Sequence, residues 1–377
     1  MRKLIKVLYL VNIPSPYRVS FFNELGKLCD LTVLFERKTS TERETSWLDY
    51  NFNHFKGVFL CGIKSGANQA LCVEVLSYLS NKKYDHIVVG GYSTPTGALA
   101  ITWLKIRNIP FILNVDGGMI GMNEHKIKYE IKKHFISSAS AWLSTGKVSS
   151  AYLEHYGARK RDVFVYPFSS VSQNDLLKGV VGNDEKRKLR SALGMKGART
   201  VISVGRFIQG KGFDVLLKAC AYVDKSVSFY IIGGQPTQEL LELKKTLFLD
   251  NVYFLNHKPK EELLNYYRTA DLFVLPTRKD IWGLVVNEAL ANGLPVITTD
   301  KCVAGLELVT DYQNGFIVPV DDIRALATRI NEVIGNEKLL MAMSSNSLNK
   351  AADYTIEKMA TETLRILMTR EKGRYGE

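Results

Sequence analysis

The sequence predicts an α/β protein with two doubly wound, Rossmann-like domains, each built on a parallel sheet. Short apolar runs rich in β-branched and aromatic residues alternate with amphipathic helical segments along the whole chain. These runs are almost continuously apolar, which is typical of parallel strands covered by helices on both faces. A chain of 377 residues is also longer than one typical domain. Right-handed β-α-β crossovers then give two doubly wound sheets.

Eleven predicted strands support this fold class. Those of the first half are Leu4–Val11, Leu31–Phe35, His86–Gly90, Phe111–Val115, Ala141–Ser144 and Val163–Tyr166. Those of the second half are Thr200–Gly205, Ser228–Gly233, Val252–Leu255, Leu272–Leu275 and Pro295–Thr298.

The domain boundary is predicted between Pro167 and Thr200, where the sequence is polar and rich in Gly and charged residues. We therefore expect a first domain over residues 1–170 and a second over 171–354. Residues 355–377 have helical apolar spacing, and the spacing fits a helix that completes the second domain or one that crosses back to the first. Because ligands bind at the carboxyl ends of parallel strands, we expect the two domains to face each other across a ligand-binding cleft.

Composition and charge narrow the function classes. The run from Met1 to Val11 is interrupted by Lys6 and predicts a buried strand rather than a signal peptide, and no apolar stretch of about 18 residues predicts a membrane span. Five cysteines without a C-x-x-C pair indicate a reducing compartment and small buried side chains rather than disulfides or a zinc cluster. The net charge is +12, and residues 1–170 hold 22 Lys and Arg against 13 Asp and Glu. The first half is thus expected to meet an anionic partner.

The first motif runs from Gly205 to Gly212, after the strand Thr200–Gly205, and carries Arg206 and Lys211. A loop of this kind between a strand and a helix suits a phosphate group, because helix amides and cationic side chains converge there. The spacing from Gly205 to Lys211 nearly matches a P-loop. Gly212 stands where a P-loop has its Mg²⁺-binding hydroxyl, however, so a P-loop NTPase is not expected.

The second motif carries two carboxylates, Asp280 and Glu288, after the strand Leu272–Leu275. A helix is predicted to start near Gly283, which leaves Asp280 in the loop and places Glu288 more than a turn into the helix. Both carboxylates can accept hydrogen bonds from sugar hydroxyls, and the amides near Gly283–Val285 can face a diphosphate. Alternatively, Asp280 is a helix cap and Glu288 a solvated helix residue.

Together these segments resemble the retaining glycosyltransferases of family 4, which have the GT-B fold. The family's Gly-Arg-Phe…Lys-Gly stretch matches Gly205, Arg206, Phe207, Lys211 and Gly212. Its E-x7-E motif matches the segment from Asp280 to Glu288 with Trp282, Gly283, Leu284 and Ala289, and its Gly-x-Pro-Val strand matches Gly293 to Val296. Asp280 replaces the usual first Glu, and this departure puts its reach to the sugar in question.

The resemblance implies a metal-independent hexosyltransferase that retains anomeric configuration and uses a nucleotide diphosphate sugar, a UDP- or GDP-sugar, without a cofactor. The diphosphate would be held by Arg206 and Lys211, the ribose by Glu288 and the transferred sugar by Asp280. The remaining donor contacts would come from Gly205, Trp282, Gly283, Leu284 and Val285. The acceptor would be a saccharide or lipid-linked saccharide, which suggests cell-surface polysaccharide or glycolipid synthesis in the cytoplasm.

The first half matches the family less closely. Where the family often has a glycine-rich loop, this chain has Tyr17 and Arg18, which are expected to contact the acceptor. Gly91 and Tyr92 follow a strand and either line the cleft or form an ordinary turn. Asp116 and Gly117 end the next strand, and Asp116 lies near a position where the family often has His; these residues are also assigned to the cleft.

A basic amphipathic segment, His125–Ile136, suggests a membrane contact. Ile127, Ile131 and Phe135 recur every four residues, and Lys126, Lys128, Lys132 and Lys133 surround them. Such a helix can lie on the anionic inner face of the plasma membrane, or it is an ordinary solvated helix of an α/β domain.

Two other functions remain as alternatives, and two are excluded. A nucleotide-sugar epimerase of the same fold would need no acceptor site, and a non-catalytic sugar-nucleotide-binding subunit fits the departure at Asp280. A dinucleotide-dependent oxidoreductase would require G-x-G-x-x-G after its first strand, which neither Val11–Tyr17 nor Gly205–Gly212 supplies. No nucleic-acid-binding module is recognisable.

Overall fold

A computed structural model describes residues 4–39, 51–121 and 123–372 of the chain. The chain forms two compact units, one comprising the residues up to Ser170 together with those from Thr355 onward, and the other Val171–Tyr354. Residues 1–3 of the N-terminal run, and 373–377 of the predicted terminal segment, lie outside the described residues.

The first unit contains a seven-stranded, fully parallel sheet. The strands of this unit are β1 (Lys6–Val11), β2 (Asp30–Phe35), β3 (Lys56–Phe59), β4 (Ile63–Lys64), β5 (Ala70–Leu71), β6 (His86–Val89), β7 (Ile112–Val115), β8 (Ala141–Ser144) and β9 (Val163–Val165). The sheet order is β3-β2-β1-β6-β7-β8-β9, while β4 and β5 form a separate antiparallel pair. The chain thus builds outward in opposite directions from β1 and β6, which makes their carboxyl ends the topological switch point, the usual ligand site of such sheets.

Helices cover the apolar strands of this sheet. They are α1 (Pro16–Gly26), α2 (Pro95–Ile106), α3 (Lys126–Ile136) and α4 (Lys147–His155). Proline occupies the first position of α1 and of α2, where its missing N–H costs no helix bond. Thr94 caps α2 by accepting a hydrogen bond from the Gly97 amide at 3.0 Å. The start of α2 is therefore fixed directly beside the end of β6.

The second unit contains a six-stranded parallel sheet with the order β12-β11-β10-β13-β14-β15. Its strands are β10 (Arg199–Val204), β11 (Val227–Ile232), β12 (Val252–Leu255), β13 (Leu272–Leu275), β14 (Val296–Thr299) and β15 (Gly315–Val318). Its helices are α5 (Asn183–Ala192), α6 (Phe213–Cys220), α7 (Gln238–Thr246), α8 (Lys260–Thr269), α9 (Leu284–Ala291), α10 (Val303–Leu308), α11 (Ile323–Gly335) and α12 (Glu337–Ala351). The switch point of this sheet lies between β10 and β13, the strands that precede the two sequence motifs.

The terminal helix, α13 (Ile356–Lys372), packs against α1 in the first unit. Its apolar residues Ile356, Met359, Ala360 and Leu367 are each at most 3% exposed. Of the two placements that the spacing allowed, the structure therefore has the helix that returns to the first unit.

Two features differ from the sequence expectations. The strands β3, β4, β5 and β15 were not predicted. Of these, β4 and β5 have only two residues each, and β3 and β15 have four residues that include a glycine. Cys61 is exposed, so the expectation of five buried cysteines is wrong at that position; the five thiols are free. Among the described helices, none has the length and apolar character needed to cross a membrane.

Candidate functional site

Lys211 and Asp280 meet across the switch point of the second sheet. Lys211 lies in the loop after β10 and Asp280 in the loop after β13, and Lys211 Nζ donates to Asp280 Oδ2 at 2.5 Å. Their side chains are 19% and 15% exposed, so the pair is largely shielded from water. The stem of Lys211 passes close to Gly205, where an added Cβ would lie 3.5 Å from its Cδ and Cε. The two motifs, separate in sequence, therefore form one charged centre.

The loop that carries Lys211 requires a glycine at position 212. Gly212 has φ of +68°, and a Cβ at this position would lie 2.0 Å from the carbonyl oxygen of Pro276. A side chain here would be strained and would push the loop after β10 away from the loop after β13. Gly212 therefore accounts for the close approach of the two loops.

Arg278 holds the same two loops together through four hydrogen bonds from its side chain. Its guanidinium donates to both carboxylate oxygens of Asp214 at 2.8 and 2.7 Å, to Asp321 at 2.7 Å and to the carbonyl of Gln209 at 2.9 Å. Its backbone amide donates to the carbonyl of Gly210 at 2.8 Å. Burial opposes ionisation of Asp214, but the bonds from Arg278 outweigh it and lower the pKa of that carboxyl. Arg278 was not among the predicted site residues.

Asp280 lies beside the start of α9. Its amide donates to the carbonyl of Lys301 at 2.9 Å, which fixes the loop against the start of the next crossover. Gly283 is the N-cap of α9, with φ of +99°, so the helix begins where the sequence predicted. The cap position belongs to Gly283 rather than Asp280. Besides the bond from Lys211, the Asp280 carboxylate accepts a long bond of 3.4 Å from the Trp282 amide. The Asp280 carboxylate lies close to this helix start, since a Cβ added at Gly283 would be 3.5 Å from its Oδ2. The first amides of a helix generally lack partners within the helix and can face an anion.

Glu288 lies on α9, more than one turn into the helix, and is half-buried. Tyr267, on α8 and almost completely buried, donates its hydroxyl to Glu288 Oε2 at 3.0 Å. Burial, and secondarily the nearby Glu288 charge, raises the pKa of Tyr267 well above its usual value. The phenol therefore remains a donor and holds the Glu288 carboxylate in place.

The other predicted donor residues have different surroundings. Arg206 is exposed at the beginning of the loop after β10. Trp282 is buried and donates its indole N–H to Asn287 at 2.9 Å, so its side chain supports α9. Leu284 and Val285 are half-buried in the first turn of the helix. The roles assigned to these residues remain predictions.

The switch point of the first sheet holds a pocket of about 220 Å³ at the carboxyl ends of β1 and β6. Of the predicted cleft residues, Tyr17, Arg18 and Gly91 line it. Glu36, Asn68 and Thr94, which the sequence analysis missed, line it as well. Only Glu36 carried a usable signal: it directly follows a predicted strand, and polar residues at strand carboxyl ends commonly meet ligands.

Asp116 lies behind this pocket and holds Arg18 in an ion pair. The Asp116 carboxylate also accepts hydrogen bonds from the Tyr166 hydroxyl at 2.9 Å and the Asn114 amide at 3.1 Å. Burial opposes the charge on Arg18, but Asp116 outweighs it and raises the pKa of the guanidinium. Asp116 is thus a partner of Arg18 and does not line the pocket, and neither does Gly117.

Tyr92 was also assigned to the cleft, but it does not line this pocket. Its hydroxyl is hydrogen-bonded to that of Tyr152 on α4. Of the glycine-glycine-tyrosine sequence after β6, only the glycines line the pocket.

No group of three or more His, Cys, Asp or Glu side chains arranged to hold a metal ion is found in the part of the chain that the structure describes. Cationic side chains lie at the second switch point instead, with Lys211 in the ion pair and Arg206 at the start of the same loop.

The chain is similar to several known proteins. Residues 185–350 match the family model of the glycosyl transferases group 1. An uncharacterized glycosyltransferase of Methanocaldococcus jannaschii, MJ1178, is 30% identical over 271 residues, which are 71% of this chain and 70% of that protein. TuaC of Bacillus subtilis, a putative teichuronic acid biosynthesis glycosyltransferase, is 29% identical over 252 residues, covering 66% of this chain and 61% of TuaC. Of two further curated relatives, the match spans only 49% and 45% of the length.

A solved structure extends the likeness to almost the whole chain. The crystal structure of Anabaena HepE in complex with UDP superposes with a TM-score of 0.78 at 18% identity, covering 97% of this chain and 100% of that chain. The two parallel-sheet α/β domains are those of the GT-B fold. The chain belongs to the glycosyl transferases group 1 family.

Proposed function

We propose that the protein is a retaining glycosyltransferase that moves a sugar from a nucleotide diphosphate sugar to a saccharide or lipid-linked acceptor. The observation that carries the proposal is the Lys211–Asp280 pair at the switch point between β10 and β13, with Asp280 close to Gly283 at the start of α9. A cation, helix amides and a carboxylate in one place suit a diphosphate joined to a sugar.

The residues divide the donor between them. Lys211 and Arg206 would bind the diphosphate, whose developing charge the amides of α9 also stabilise. Glu288, held by Tyr267, would accept hydrogen bonds from the ribose hydroxyls. Asp280 would contact the transferred sugar once the diphosphate has drawn Lys211 away. Since the leaving diphosphate can take the acceptor's proton, front-face attack needs no separate protein base and the enzyme acts mainly by orienting the reactants.

Relatives support the donor class and the biological setting. HepE has been crystallised with UDP, and TuaC is named for teichuronic acid biosynthesis. We therefore propose a UDP- or GDP-sugar as donor and a role in cell-surface polysaccharide or glycolipid synthesis at the cytoplasmic side of the membrane.

The proposal is tested by a thermal-shift panel of nucleotide sugars followed by a transfer assay with radiolabelled donor and a lipid extract. A bound donor raises the apparent melting temperature, and label should then move into the extract. Activity should persist in excess EDTA; activity lost with the chelator and restored by Mg²⁺ or Mn²⁺ would contradict metal independence. Isomerised donor without transfer would establish the epimerase, and tight donor binding without either reaction would establish a non-catalytic subunit.

We propose further that α3 contacts an anionic membrane surface. Ile127 and Ile131 are 65% and 52% exposed on this helix, and Lys126, Lys128 and Lys133 are exposed beside them. An exposed apolar stripe flanked by lysines can insert its apolar side chains among anionic headgroups.

Lys132 does not belong to this surface, so the sequence prediction that grouped it with Lys126, Lys128 and Lys133 is wrong at this position. Its ammonium pairs with Glu124 at 2.6 Å and donates to the Tyr156 hydroxyl at 3.2 Å. It also lies 4.8 Å from the centre of the Tyr156 ring. Although Lys132 follows Lys128 by one turn on the same side of the helix, its ammonium is held by these partners within the unit, and it stabilises the unit.

A further inference from the structure

The pocket at the switch point of the first sheet contains a buried carboxylate that the proposed donor chemistry does not use. Glu36 directly follows β2 and is 4% exposed. Its two oxygens accept one hydrogen bond each, from the Thr94 hydroxyl at 2.5 Å and the Ala70 amide at 3.2 Å. A carboxylate offers about four acceptor positions, so about two remain for a ligand in the pocket.

A second hydrogen-bond acceptor in the pocket lacks a hydrogen-bond donor. The side-chain oxygen of Asn68 is buried and, within the described residues, has no hydrogen-bond partner. Buried polar atoms are rarely left unpaired, because the lost hydrogen bond is costly. Glu36 and Asn68 together therefore call for a ligand that donates several hydrogen bonds.

The charges around the pocket select against an anionic ligand. Arg18, the cation that lines it, is paired with Asp116. Glu36 has no ion pair within the part of the chain described. Burial raises the pKa of Glu36, as expected for a carboxyl group without a cationic partner. A neutral ligand that donates hydrogen bonds meets this environment better than a phosphate or a uronic acid.

The size of the pocket limits the ligand to one ring. Its volume of about 220 Å³ corresponds to about seven water molecules and lies below the range of about 300–1,000 Å³ typical of sites for drug-sized ligands. A Cβ added to Gly91, which lines the pocket, would meet nothing within 4 Å. A side chain at Gly91 can thus occupy space there without disturbing the fold.

We infer that this pocket binds one neutral, hydroxyl-rich ring, with Glu36 and Asn68 accepting hydrogen bonds from its hydroxyl groups. The assignment of this ring as a saccharide unit of the acceptor rests on the proposed transferase function. The acceptor is then a neutral saccharide rather than an anionic headgroup.

The test is saturation-transfer NMR of the full chain with neutral methyl glycosides of glucose, galactose, mannose and N-acetylglucosamine, and with methyl glucuronide as the anionic probe. At least one neutral glycoside should bind, and methyl glucuronide should bind at least fivefold more weakly. Glu36→Gln should weaken the neutral glycoside at least fivefold and narrow its advantage over the glucuronide. Gly91→Val should abolish binding by filling the pocket, and Glu130→Gln, an exposed carboxylate on α3, is the matched control.

Binding of UDP and GDP is measured on the same samples. If a nucleotide binds but no glycoside does, or if the glycosides bind equally to wild type, Glu36→Gln and Gly91→Val, the pocket inference is overturned while the proposed function stands. Equal binding of glucuronide and neutral glycosides to the wild type also overturns it. If the glycosides behave as expected but no nucleotide binds, the ring site stands and the transferase function fails. Gly91→Val keeps the test decisive should Glu36→Gln destabilise the protein.

Discussion

The Lys211–Asp280 pair leads to a counterintuitive prediction about nucleotide affinity. Without ligand, Asp280 neutralises Lys211 at 2.5 Å. A diphosphate that binds Lys211 must compete with this carboxylate. Asp280→Asn keeps the size of the side chain and removes the charge, so we expect free UDP or GDP to bind this variant more tightly than the wild type.

The size of the effect follows from the burial of the pair. Two unit charges about 4 Å apart attract by about 4 kcal/mol at an effective dielectric constant near 20. Exposed pairs, by contrast, contribute about 0–1 kcal/mol. The two side chains retain 19% and 15% exposure, and the side-chain oxygen of Asn can still accept one hydrogen bond from Lys211. We therefore expect the gain in nucleotide binding to lie near the lower of these two energies. A gain of about 1 kcal/mol corresponds to binding about fivefold tighter.

Isothermal titration of the nucleoside diphosphate, with a transfer assay alongside, measures both consequences. Asp280→Asn should bind the nucleotide more tightly but transfer sugar at least tenfold more slowly, because the free nucleotide lacks the sugar that Asp280 contacts. A loss confined to turnover indicates an interaction made mainly in the transition state. Combining Asp280→Asn with Lys211→Ala should remove the gain in affinity, because the carboxylate then has no cation to compete for.

Asp184→Asn, which removes a carboxylate from an exposed ion pair with Arg187 on α5, is the control and should change neither quantity. Nucleotide binding tenfold weaker in Asp280→Asn would refute the competition argument, and so would an equal gain in the Lys211→Ala background. Unchanged turnover would show that Asp280 only supports the loop.

Three further predictions concern positioning and membrane contact. Tyr267→Phe removes a hydrogen bond to a half-buried carboxylate. It should lower the free energy of unfolding by about 1–2 kcal/mol and the melting temperature by about 2–8 °C, as measured by calorimetry. Nucleotide titration should show several-fold weaker binding. Arg278→Lys cannot replace the fork of hydrogen bonds, so turnover should fall more than tenfold with a melting temperature within about 4 °C of wild type, and Arg278→Gln should be worse. Changing Lys126, Lys128 and Lys133 together to Gln should reduce co-sedimentation with anionic vesicles, at about 1 kcal/mol for each lysine.

Each of these three predictions has an outcome that would contradict it. Unchanged nucleotide affinity in Tyr267→Phe would mean that its hydroxyl does not orient the donor-binding carboxylate. Full turnover in both Arg278 variants would remove that residue from the positioning of the loops. Changing Lys82 and Lys83, which are exposed elsewhere on the first unit, is the control for vesicle binding. An equal loss in the control, or equal binding to anionic and neutral vesicles, would refute a specific role for α3.

Local sequence patterns determined the fold class and the positions of the main motifs. Apolar runs and helical spacing depend on which face of an element is buried, and neighbouring residues carry that information. The sequence also placed Lys211, Asp280 and Glu288 beside strand carboxyl ends, because in a parallel sheet every strand ends at the same edge. The strands β3 and β15 escaped prediction because four residues including a glycine carry too little of this pattern, and β4 and β5 because each has only two residues.

Tertiary structure alone decided which of these side chains meet. Lys211 and Asp280 are 69 residues apart, and Tyr267 reaches Glu288 from another helix. In the sequence, Lys132 is equivalent to the other lysines of its helix; only the structure shows that Glu124 and Tyr156 hold it within the unit. The carboxylate of Glu36 became part of a pocket only because β1 and β6 are neighbours in the sheet. Such pairings depend on strand order and loop approach, and no local periodicity encodes these.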